Sequence, residues 1–370
     1  MSLKKGPVIA IAAGGTGGHI FPAIATGEKI RELRPDIDVV YACGEKPLEI
    51  GLFKSSGIEP VVFPARQIRR GMVGKFTGIV AAFGNLWRAW CWVRRINADV
   101  VMGFGGYVSG PTVLGGIFAG RKTAIHEANS VPGVTNKVLA PLVTLTTAHF
   151  ESTLDLLKGK RELALGMPLR RLEFGGSKED AREELGLDKD RMTILVIGGS
   201  QGAKFLYHSI MDCLTELDTV FDRPVQILWS TGQNNLAELA GRLDGLALKN
   251  IKVHLQPFLD NMAAALATTD LAIARAGASS LAELVSFGVY TIYVPFPAAI
   301  YDHQTLNARE AEQHGLGRVL PEPEVKARLV ELVRESYAKV QNGYTMRPPE
   351  SLDSSKAAER LARNVIEMVG

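Results

Sequence analysis

The fold of this 370-residue chain is decided by the stretch Val8-Ile9-Ala10-Ile11-Ala12-Ala13-Gly14-Gly15-Thr16-Gly17-Gly18-His19. An apolar run of strand length ends there in a glycine-rich turn, and a helix-compatible segment continues from Ala23 to Leu33. Glycine lets backbone N–H groups approach an anion closely, and the N-terminus of the following helix favours negative charge. The stretch therefore predicts a strand, a ligand-binding loop and a helix.

A second copy of this pattern lies in the other half of the chain. Thr193 begins a second strand-like run whose residues 194–197 are apolar, Gly198-Gly199-Ser200-Gln201-Gly202-Ala203 follows, and another helix-compatible segment begins there. Both halves alternate short apolar strands with helices, which is typical of parallel sheets covered on both faces. The predicted fold class is α/β, with two Rossmann-like parallel-sheet domains.

The domain boundaries follow from the positions of these strands. Strands are predicted at 8–12, 39–42, 61–63, 100–102, 122–125 and 142–147 in the first half, and at 193–197, 225–230, 251–254, 271–274 and 291–294 in the second. We expect an N-terminal domain at 1–165, a linker at 166–190 and a C-terminal domain at 191–350. A last amphipathic helix within 351–370 is expected to pack back on the first domain.

Composition excludes several classes of protein. The chain is 46% hydrophobic and 22% charged, and its net charge of +3 is too small to indicate nucleic-acid binding by itself. Three scattered cysteines give neither a disulfide framework nor metal-ligand spacing, which fits a reducing cytoplasm. No N-terminal segment resembles a signal peptide, and the apolar run at 8–13 is too short to span a membrane.

Residues 76–95 form an apolar segment with helical spacing, flanked by arginines. The predicted membrane-facing residues in it are Phe76, Ile79, Phe83, Trp87 and Trp90. One interpretation is a helix whose apolar stripe packs on its own domain. The other is an interfacial surface, with aromatic side chains at the headgroup level and arginines on anionic lipid. Both hold if one face packs while the other docks on the membrane.

Polar motifs follow three predicted strands of the first half. The loop at 14–19 lacks the spacing of a dinucleotide fingerprint, and its His19 is either a capping residue or a group held against a phosphate or an attacking hydroxyl. Gly103-Phe104-Gly105-Gly106-Tyr107 suits close backbone approach to a ligand. His126-Glu127-Ala128-Asn129 lies at the end of a strand, where open α/β sheets bind ligands.

The second half carries its most informative motif at Ala274-Arg275-Ala276-Gly277-Ala278-Ser279-Ser280-Leu281-Ala282-Glu283. Small residues there cap a predicted helix, with Glu283 in its first turns. That carboxylate is either a partner of the helix dipole or an acceptor for two ribose hydroxyls beside a helix-bound diphosphate. Downstream, Asp302-His303-Gln304-Thr305-Leu306-Asn307 offers polar groups for sugar hydroxyls.

These blocks together resemble the MurG family of bacterial glycosyltransferases along nearly the whole chain. The resemblance is carried by residues 14–22, 103–111, 126–129, 132–136, 198–203, 275–283 and 302–308. It implies a GT-B architecture, in which two Rossmann-like domains face each other across a cleft. It also implies an inverting transfer of N-acetylglucosamine (GlcNAc) from UDP-GlcNAc to the 4-hydroxyl of the N-acetylmuramic acid (MurNAc) unit of lipid I, which makes lipid II for peptidoglycan.

The same resemblance implies partners and a location. The substrates are UDP-GlcNAc and lipid I (undecaprenyl-pyrophosphoryl-MurNAc-peptide), and neither a cofactor, a bound metal nor nucleic acid is expected. The enzyme is expected to be peripheral, at the cytoplasmic face of the bacterial plasma (inner) membrane and in contact with anionic lipid. Two pairs, Asp36-Ile37-Asp38 and Asp188-Lys189-Asp190, resemble metal sites but lie in charged connections, and we interpret them as solvated.

The resemblance assigns site residues by position. Donor binding is implied for Thr16, Gly17, Gly18, Asn129, Arg170, Ser200, Gln201, Leu259, Ala278, Ser279, Ser280, Leu281, Ala282, Glu283 and Gln304. Acceptor binding is implied for Gly14, Gly15, Gly105, Gly106, Tyr107 and Asn136. His19 is the expected catalytic base or positions it, with Glu127 as the competing candidate. The helix N-terminus after Gly202, with Arg170, would stabilise the departing diphosphate.

Two positions depart from the family pattern. Ala128 stands where the family commonly has the glutamine of HEQN, so one amide contact is missing. Met167 replaces the asparagine of GNPVR, which here reads Gly166-Met167-Pro168-Leu169-Arg170, and can alter the hinge or a polar contact. Neither departure touches the residues expected to carry the reaction.

Three other activities are compatible with this fold and a sugar-nucleotide site. A related transferase would glycosylate diacylglycerol, and a UDP-GlcNAc 2-epimerase would convert the donor alone. A non-catalytic module would bind UDP-GlcNAc without releasing UDP. The joint presence of His19, Glu127, Glu283 and Gln304 argues against the last of these.

Overall fold

A computed structural model describes residues 6–64, 72–170, 174–198 and 203–369, and for residues 72–83 it describes the backbone alone. The chain divides into two compact units, each with its own parallel sheet. The first unit comprises Met1–Arg170 together with Glu350–Gly370, and the second comprises Arg171–Pro349. The α/β fold class with two parallel-sheet domains, expected from the sequence, is therefore confirmed.

The sheet of the first unit is built around the strand quoted first. Within the described residues its strands are β1 (Val8–Ala12), β2 (Asp38–Gly44), β3 (Val61–Phe63), β4 (Val100–Gly103), β5 (Lys122–Glu127), β6 (Leu145–Ala148) and β7 (Glu162–Ala164). They lie in the order β3-β2-β1-β4-β5-β6-β7. In this register Ile9 lies opposite Val39 of β2 and Val100 of β4.

Helices connect these strands and cover both faces of the sheet. They are α1 (Gly17–Leu33), α2 (Pro47–Ser55), α3 (Met72–Arg95), α4 (Ser109–Phe118), α5 (Val134–Leu139) and α6 (Leu154–Leu157). Ile9 and Ile11 of β1 pack in one core cluster with residues of α1, and Val8 and Ala10 pack in another with residues of α3. Because both faces are covered, the whole strand is buried and reads as one continuous apolar run.

The second unit repeats this topology. Its described strands are β8 (Met192–Ile197), β9 (Val225–Ser230), β10 (Ile251–Gln256), β11 (Leu271–Ala274), β12 (Tyr290–Tyr293) and β13 (Gly317–Val319), in the order β10-β9-β8-β11-β12-β13. Its helices are α7 (Lys178–Glu184), α8 (Lys204–Asp218), α9 (Leu236–Leu243), α10 (Met262–Thr268), α11 (Ala278–Ser286), α12 (His303–Gln313) and α13 (Val325–Gln341). In both sheets the first strand is central, and the chain later returns to its other side.

The last helix belongs to the first unit. α14 (Ala357–Ile366) contributes Leu361 and Val365 to the core cluster that also contains Ile20 and Ile24 of α1. The core between α1 and the first sheet is therefore completed by residues from the far end of the sequence.

The elements differ from the sequence-based expectation where the apolar signal is short. β7 and β13 are not predicted, because each contains a charged residue and forms no continuous apolar run, unlike the equally short edge strand β3. β6 begins at Leu145 rather than at 142, since Leu142 lies before the strand and is 48% exposed. α1 begins at Gly17 rather than at Ala23, so the glycine-rich stretch forms its first turn and Pro22 lies inside the helix.

Two histidines are buried in the first unit, at the end of β5 and directly after β6. His126 and His149 are 1% and 0% exposed, and Nδ1 of His126 lies 3.0 Å from the Thr147 hydroxyl. The His149 ring lies against Phe150, with ring centroids 4.1 Å apart. Burial disfavours the charged imidazolium and lowers the pKa of His126 to about 3 and that of His149 to about 4, with repulsion from His149 also acting on His126.

We expect the free energy of unfolding to fall as the pH is lowered from about 6.5 toward 4. In that window the unfolded chain protonates both histidines, whereas the folded chain resists protonation until the pH nears the lowered pKa values. Each histidine can remove up to about 1.4 kcal/mol of stability per pH unit. Urea unfolding at pH 7.5 and 5.0 should show a smaller loss for His149→Phe than for the wild type.

The matched control for this measurement is His314→Phe, because His314 is exposed. It should lose as much stability between the two pH values as the wild type does. An equal loss in the His149→Phe variant would contradict the assignment of the pH dependence to the buried ring.

Candidate active site

The carboxyl edge of the first sheet brings two glycine-rich loops together. β1 and β4 are neighbours, but the chain leaves them toward opposite sides of the sheet, and such a point is where open α/β sheets bind ligands. A Cβ atom at Gly106 would lie 2.3 Å from the Gly14 carbonyl oxygen, and Gly106 has a φ of +77°. Glycine is therefore required at 106, and the residues predicted to bind the acceptor at 14–15 and 105–107 meet.

A buried carboxylate that the sequence analysis does not single out holds the first loop. Glu49, in the first turn of α2, is 0% exposed. Its Oε1 accepts from the Gly15 N–H at 2.9 Å and from the Tyr107 hydroxyl at 3.0 Å, and its Oε2 accepts from the Gly44 N–H at 2.8 Å. Burial, and then the hydrogen bond to Glu49, raise the pKa of Tyr107. The signal for Glu49 is its position just after β2, at the carboxyl edge beside β1.

His19 lies in the first turn of α1, between the two loops. Its Nδ1 lies 3.1 Å from the Gly14 carbonyl oxygen, which can only accept, so Nδ1 carries the proton and Nε2 is the basic nitrogen. The Gly105 backbone passes beside the ring, and a Cβ atom there would lie 2.9 Å from Nε2. The helix N-cap is Thr16, so His19 does not act as the cap. This geometry suits proton transfer at Nε2.

Glu127, at the end of β5, is 4% exposed and is used by its own loop. Its Oε1 accepts from the Asn129 N–H at 3.0 Å. Its Oε2 accepts from the Gly133 N–H at 3.0 Å and from Asn136 Nδ2 at 2.8 Å. The structure thus brings Asn129 and Asn136, predicted as donor and acceptor contacts, into one cluster that Glu127 holds against the sheet.

The first turn of α1 and Arg170 offer positive charge at the same edge. Gly17 and Gly18 follow the extended N-cap Thr16, and no acidic residue lies in the first turn. The Arg170 guanidinium lies 3.9 Å from the centre of the Phe21 ring, which fixes it beside α1. A helix N-terminus with a neighbouring guanidinium is suited to an anion such as a diphosphate.

In the second unit the predicted donor residues from Ala278 onward form the start of α11, directly after β11. The first turn of this helix holds no acidic residue. Ser279, Ser280 and Glu283 are partly exposed, whereas the side chains of Leu281 and Ala282 are fully buried. The side chains of Ser280 and Glu283 can therefore meet a ligand, whereas the hydroxyl oxygen of Ser279 is itself buried and Leu281 and Ala282 pack the helix in place.

Among the described residues, the remaining donor candidates lie in the loop after β10 and in α12. Gln304 is partly exposed, and its Oε1 accepts from the Phe296 N–H at 3.0 Å, which orients its amide. Leu259 is partly exposed in the loop after β10. Ser200 and Gln201, expected beside the diphosphate, lie outside the described residues.

A buried ion pair holds the loops around α11. Arg275, which is 5% exposed, donates to the carbonyl oxygens of Val294 and Pro295, at 3.1 Å each, and pairs with Glu322. Its guanidinium is thus engaged by the protein itself. Within its sequence motif, Arg275 therefore fixes the loops at the edge of the second sheet.

The described part of α3 has a buried and an exposed aromatic side. Trp92 packs edge-on against Phe63, with centroids 5.5 Å apart, whereas Trp87 is 63% exposed and lies 4.8 Å from the partly buried Trp90 ring. The side chains of the other predicted membrane-facing residues, Phe76, Ile79 and Phe83, lie outside the described residues.

A groove of about 490 Å³ runs between α3 and the edge strand β3. It is lined by Val61, Val62, Phe63, Pro64, Trp87, Arg88, Cys91, Trp92 and Arg95. In the part of the chain that the structure describes, none of the helices is both long and apolar enough to cross a membrane. Among the same residues, no three His, Cys, Asp or Glu side chains are grouped as metal ligands.

Known sequences match both halves of the chain. Residues 9–147 match the glycosyltransferase family 28 N-terminal domain, and residues 193–362 match the C-terminal domain of the same family. The UDP-N-acetylglucosamine--N-acetylmuramyl-(pentapeptide) pyrophosphoryl-undecaprenol N-acetylglucosamine transferase of Moorella thermoacetica is 33% identical over 333 residues, which cover 88% of this chain and 89% of that protein. The protein of the same name from Halothermothrix orenii is 35% identical over 339 residues, with the same two coverages.

Solved structures agree with the sequence matches. MurG of Acinetobacter baumannii superposes with a TM-score of 0.74 at 26% identity, covering 98% of this chain and 99% of that one. A UDP-GlcNAc 2-epimerase from Neisseria meningitidis superposes with a TM-score of 0.66 at 11% identity, covering 98% and 100%, a likeness that shows the fold alone. The GT-B-like fold and the family resemblance expected from the sequence are both confirmed. The chain belongs to glycosyltransferase family 28 and, within it, to the MurG family.

Proposed function

We propose that this chain transfers GlcNAc from UDP-GlcNAc to the 4-hydroxyl of the MurNAc unit of lipid I, releasing UDP and making lipid II. The proposal rests on membership of the MurG family. Relatives that match this chain over most of its length are named for this transfer. The structural observation that best supports it is the convergence of His19 with two glycine loops at the carboxyl edge of β1 and β4. A hydroxyl and a diphosphate are the chemistry that such an edge accommodates.

We assign the donor to the second unit. The N-terminus of α11 has no acidic residue in its first turn, so its N–H groups suit a phosphate. Ser280 adds a hydroxyl, and Glu283 is the acceptor for the ribose hydroxyls. The amide of Gln304, oriented by Phe296, would donate to the sugar.

His19 is the base in the proposed reaction. Nε2 takes the proton from the 4-hydroxyl while its oxygen attacks the anomeric carbon of GlcNAc. The bond to the UDP oxygen breaks on the opposite face of the sugar, so the configuration at the anomeric carbon is inverted and the electron pair leaves with UDP. Arg170 and the N-terminus of α8, the helix that follows Gly202, would stabilise the charge that develops on UDP.

Glu127 is better suited to holding its loop than to taking a proton. Its two oxygens already accept from Asn129, Gly133 and Asn136. Protonation by a substrate hydroxyl would weaken several of these bonds at once, whereas the Nε2 of His19 faces the glycine loop without such an obligation. We therefore assign Glu127 to positioning Asn129 and Asn136.

The exposed aromatic side of α3 would place the enzyme on the cytoplasmic face of the inner membrane as a peripheral protein. Trp87 is largely exposed, and the Arg94 guanidinium lies 5.0 Å from the centre of the Trp90 ring. Tryptophan and arginine together are suited to the headgroup region of an anionic bilayer. This location would bring the site to an acceptor that is anchored in the membrane.

The transfer itself is tested by measuring UDP release from UDP-GlcNAc with and without a short-chain lipid I analogue. We expect release only with the acceptor, together with a GlcNAc-extended lipid. Conversion of the donor sugar without any lipid would identify a 2-epimerase instead, and release only with diacylglycerol would identify the related transferase. Tight UDP binding without release on any acceptor would indicate a binding module.

The two catalytic candidates are separated by their variants. His19→Ala should lower kcat by about 10²- to 10⁴-fold, the range that a positioned base supplies. Glu127→Gln should lower the free energy of unfolding by about 1–3 kcal/mol, because an amide NH₂ would face backbone N–H groups. The exposed His314→Ala serves as the control. A His19→Ala enzyme within about tenfold of the wild type would remove His19 as the base.

Membrane docking is tested on liposomes that contain anionic lipid. Trp87→Ser should weaken binding about tenfold, which corresponds to about 1.4 kcal/mol for the partial burial of one indole ring. The triple replacement of Phe83, Trp87 and Trp90 by serine should weaken it further, and activity on a water-soluble lipid I analogue should persist. Leu156→Ser, at an exposed leucine of α6, is the control. Unchanged liposome binding in both tryptophan variants would refute the docking surface.

A further inference from the structure

Glu49 is a fully buried carboxylate to which the proposed reaction assigns no role. Its hydrogen-bond partners are the N–H groups of Gly15 and Gly44 and the hydroxyl of Tyr107. Burial of a carboxylate is unfavourable unless hydrogen bonds offset the lost hydration. Three donors from three different segments bond to this one carboxylate, which thereby holds the first glycine loop in place.

One peptide group connects Glu49 to His19. The N–H of Gly15 donates to Glu49 Oε1 at 2.9 Å, and the carbonyl oxygen of Gly14, in the same peptide group, accepts from His19 Nδ1 at 3.1 Å. Carboxylate, peptide group and imidazole thus form a continuous chain of hydrogen bonds. In a protein interior each bond of such a chain polarises the next.

We propose that Glu49 is a positioning residue for His19 and acts through the Gly14–Gly15 peptide group. The proposal rests on the proposed function, in which Nε2 of His19 is the base. The carboxylate holds the peptide group so that its carbonyl faces Nδ1. This orientation fixes the ring and keeps the proton on Nδ1, so that Nε2 stays open to the acceptor hydroxyl.

The need for such an anchor follows from the two glycines. The backbone torsions of the two glycines do not by themselves prevent this peptide group from rotating, and Gly15 already has a φ of +93°. A half-turn would present its N–H to Nδ1, which would then have to accept, and the proton would move to Nε2. Glu49 opposes this rotation, because the rotated group would point a carbonyl oxygen at a buried carboxylate.

Several charged or titratable groups surround this chain of hydrogen bonds. Tyr107 shares Oε1 of Glu49, the Lys46 ammonium lies 5.3 Å from the centre of the Tyr107 ring, and Glu45 lies near enough to act on the Tyr107 hydroxyl. From β5, His126 is close enough to be influenced by the charge of His19. Among these described groups, Glu49 is the one that accepts a hydrogen bond from the Gly14–Gly15 peptide group.

The first test uses the unmodified protein. NMR of protein labelled with ¹⁵N-histidine reports which ring nitrogen carries the proton, and the His19 signals are identified by their loss in His19→Gln. We expect neutral His19 to be in the Nδ1–H form. The Nε2–H form would overturn the proposal without recourse to any variant of Glu49.

The second test replaces the carboxylate. Glu49→Gln should shift neutral His19 toward the Nε2–H form and lower kcat by about 10²-fold, with the KM for UDP-GlcNAc within about twofold of the wild type. Tyr107→Phe removes the other hydrogen bond to Oε1 and should leave the ratio of the two His19 forms unchanged. Glu59→Gln, at an exposed glutamate, controls for the loss of one negative charge and should keep the wild-type kcat.

The outcomes separate this proposal from the proposed function. An unshifted His19 spectrum in folded Glu49→Gln would overturn the positioning role, whatever the rate does. A shifted spectrum with a wild-type rate would overturn the assignment of His19 as the base, while UDP release that depends on lipid I would still support the transfer.

Discussion

The near contact of two backbone segments at the ends of β1 and β4 is the constraint on which the carboxyl edge of the first sheet depends. Gly106 approaches the Gly14 carbonyl so closely that no side chain fits between them. Glycine-rich loops have few side chains to hold them in one conformation. Their order comes from neighbours instead, since Ser109 Oγ donates to the Ala12 carbonyl at 2.8 Å and accepts from the Gly105 N–H at 3.1 Å.

The two units share a strand order but build their edges with opposite charges. In the first unit the carboxylates of Glu49 and Glu127 accept hydrogen bonds from backbone N–H groups of the loops. In the second unit the guanidinium of Arg275 donates hydrogen bonds to carbonyl oxygens and forms an ion pair with Glu322. Each arrangement orders irregular backbone through buried ionisable side chains, and in each unit the N-terminus of a helix lies at the carboxyl edge of that unit's own sheet.

The sequence predicts the parts of this protein whose cause is local. Buried parallel strands need continuous apolar runs, so the sequence predicts the central strands β1 and β8, and it also predicts the glycine-rich segment that follows β1. The sequence does not predict the role of Glu49, because that role depends on hydrogen bonds from Gly15 and Gly44, which only the fold brings to its carboxylate. The burial of Leu281 and Ala282 beside the partly exposed Ser280 is equally a property of helix orientation, which a motif of consecutive residues does not reveal.

The packing of α14 on α1 orders events during synthesis. The second unit is one continuous segment, whereas the first unit is completed by residues that follow it in the chain. A ribosome therefore finishes the second sheet before it has made the helix that covers Ile20 and Ile24. The unit translated first therefore completes its core last, and until residues 357–366 have been made, the apolar side chains of α1 that α14 covers lack this cover.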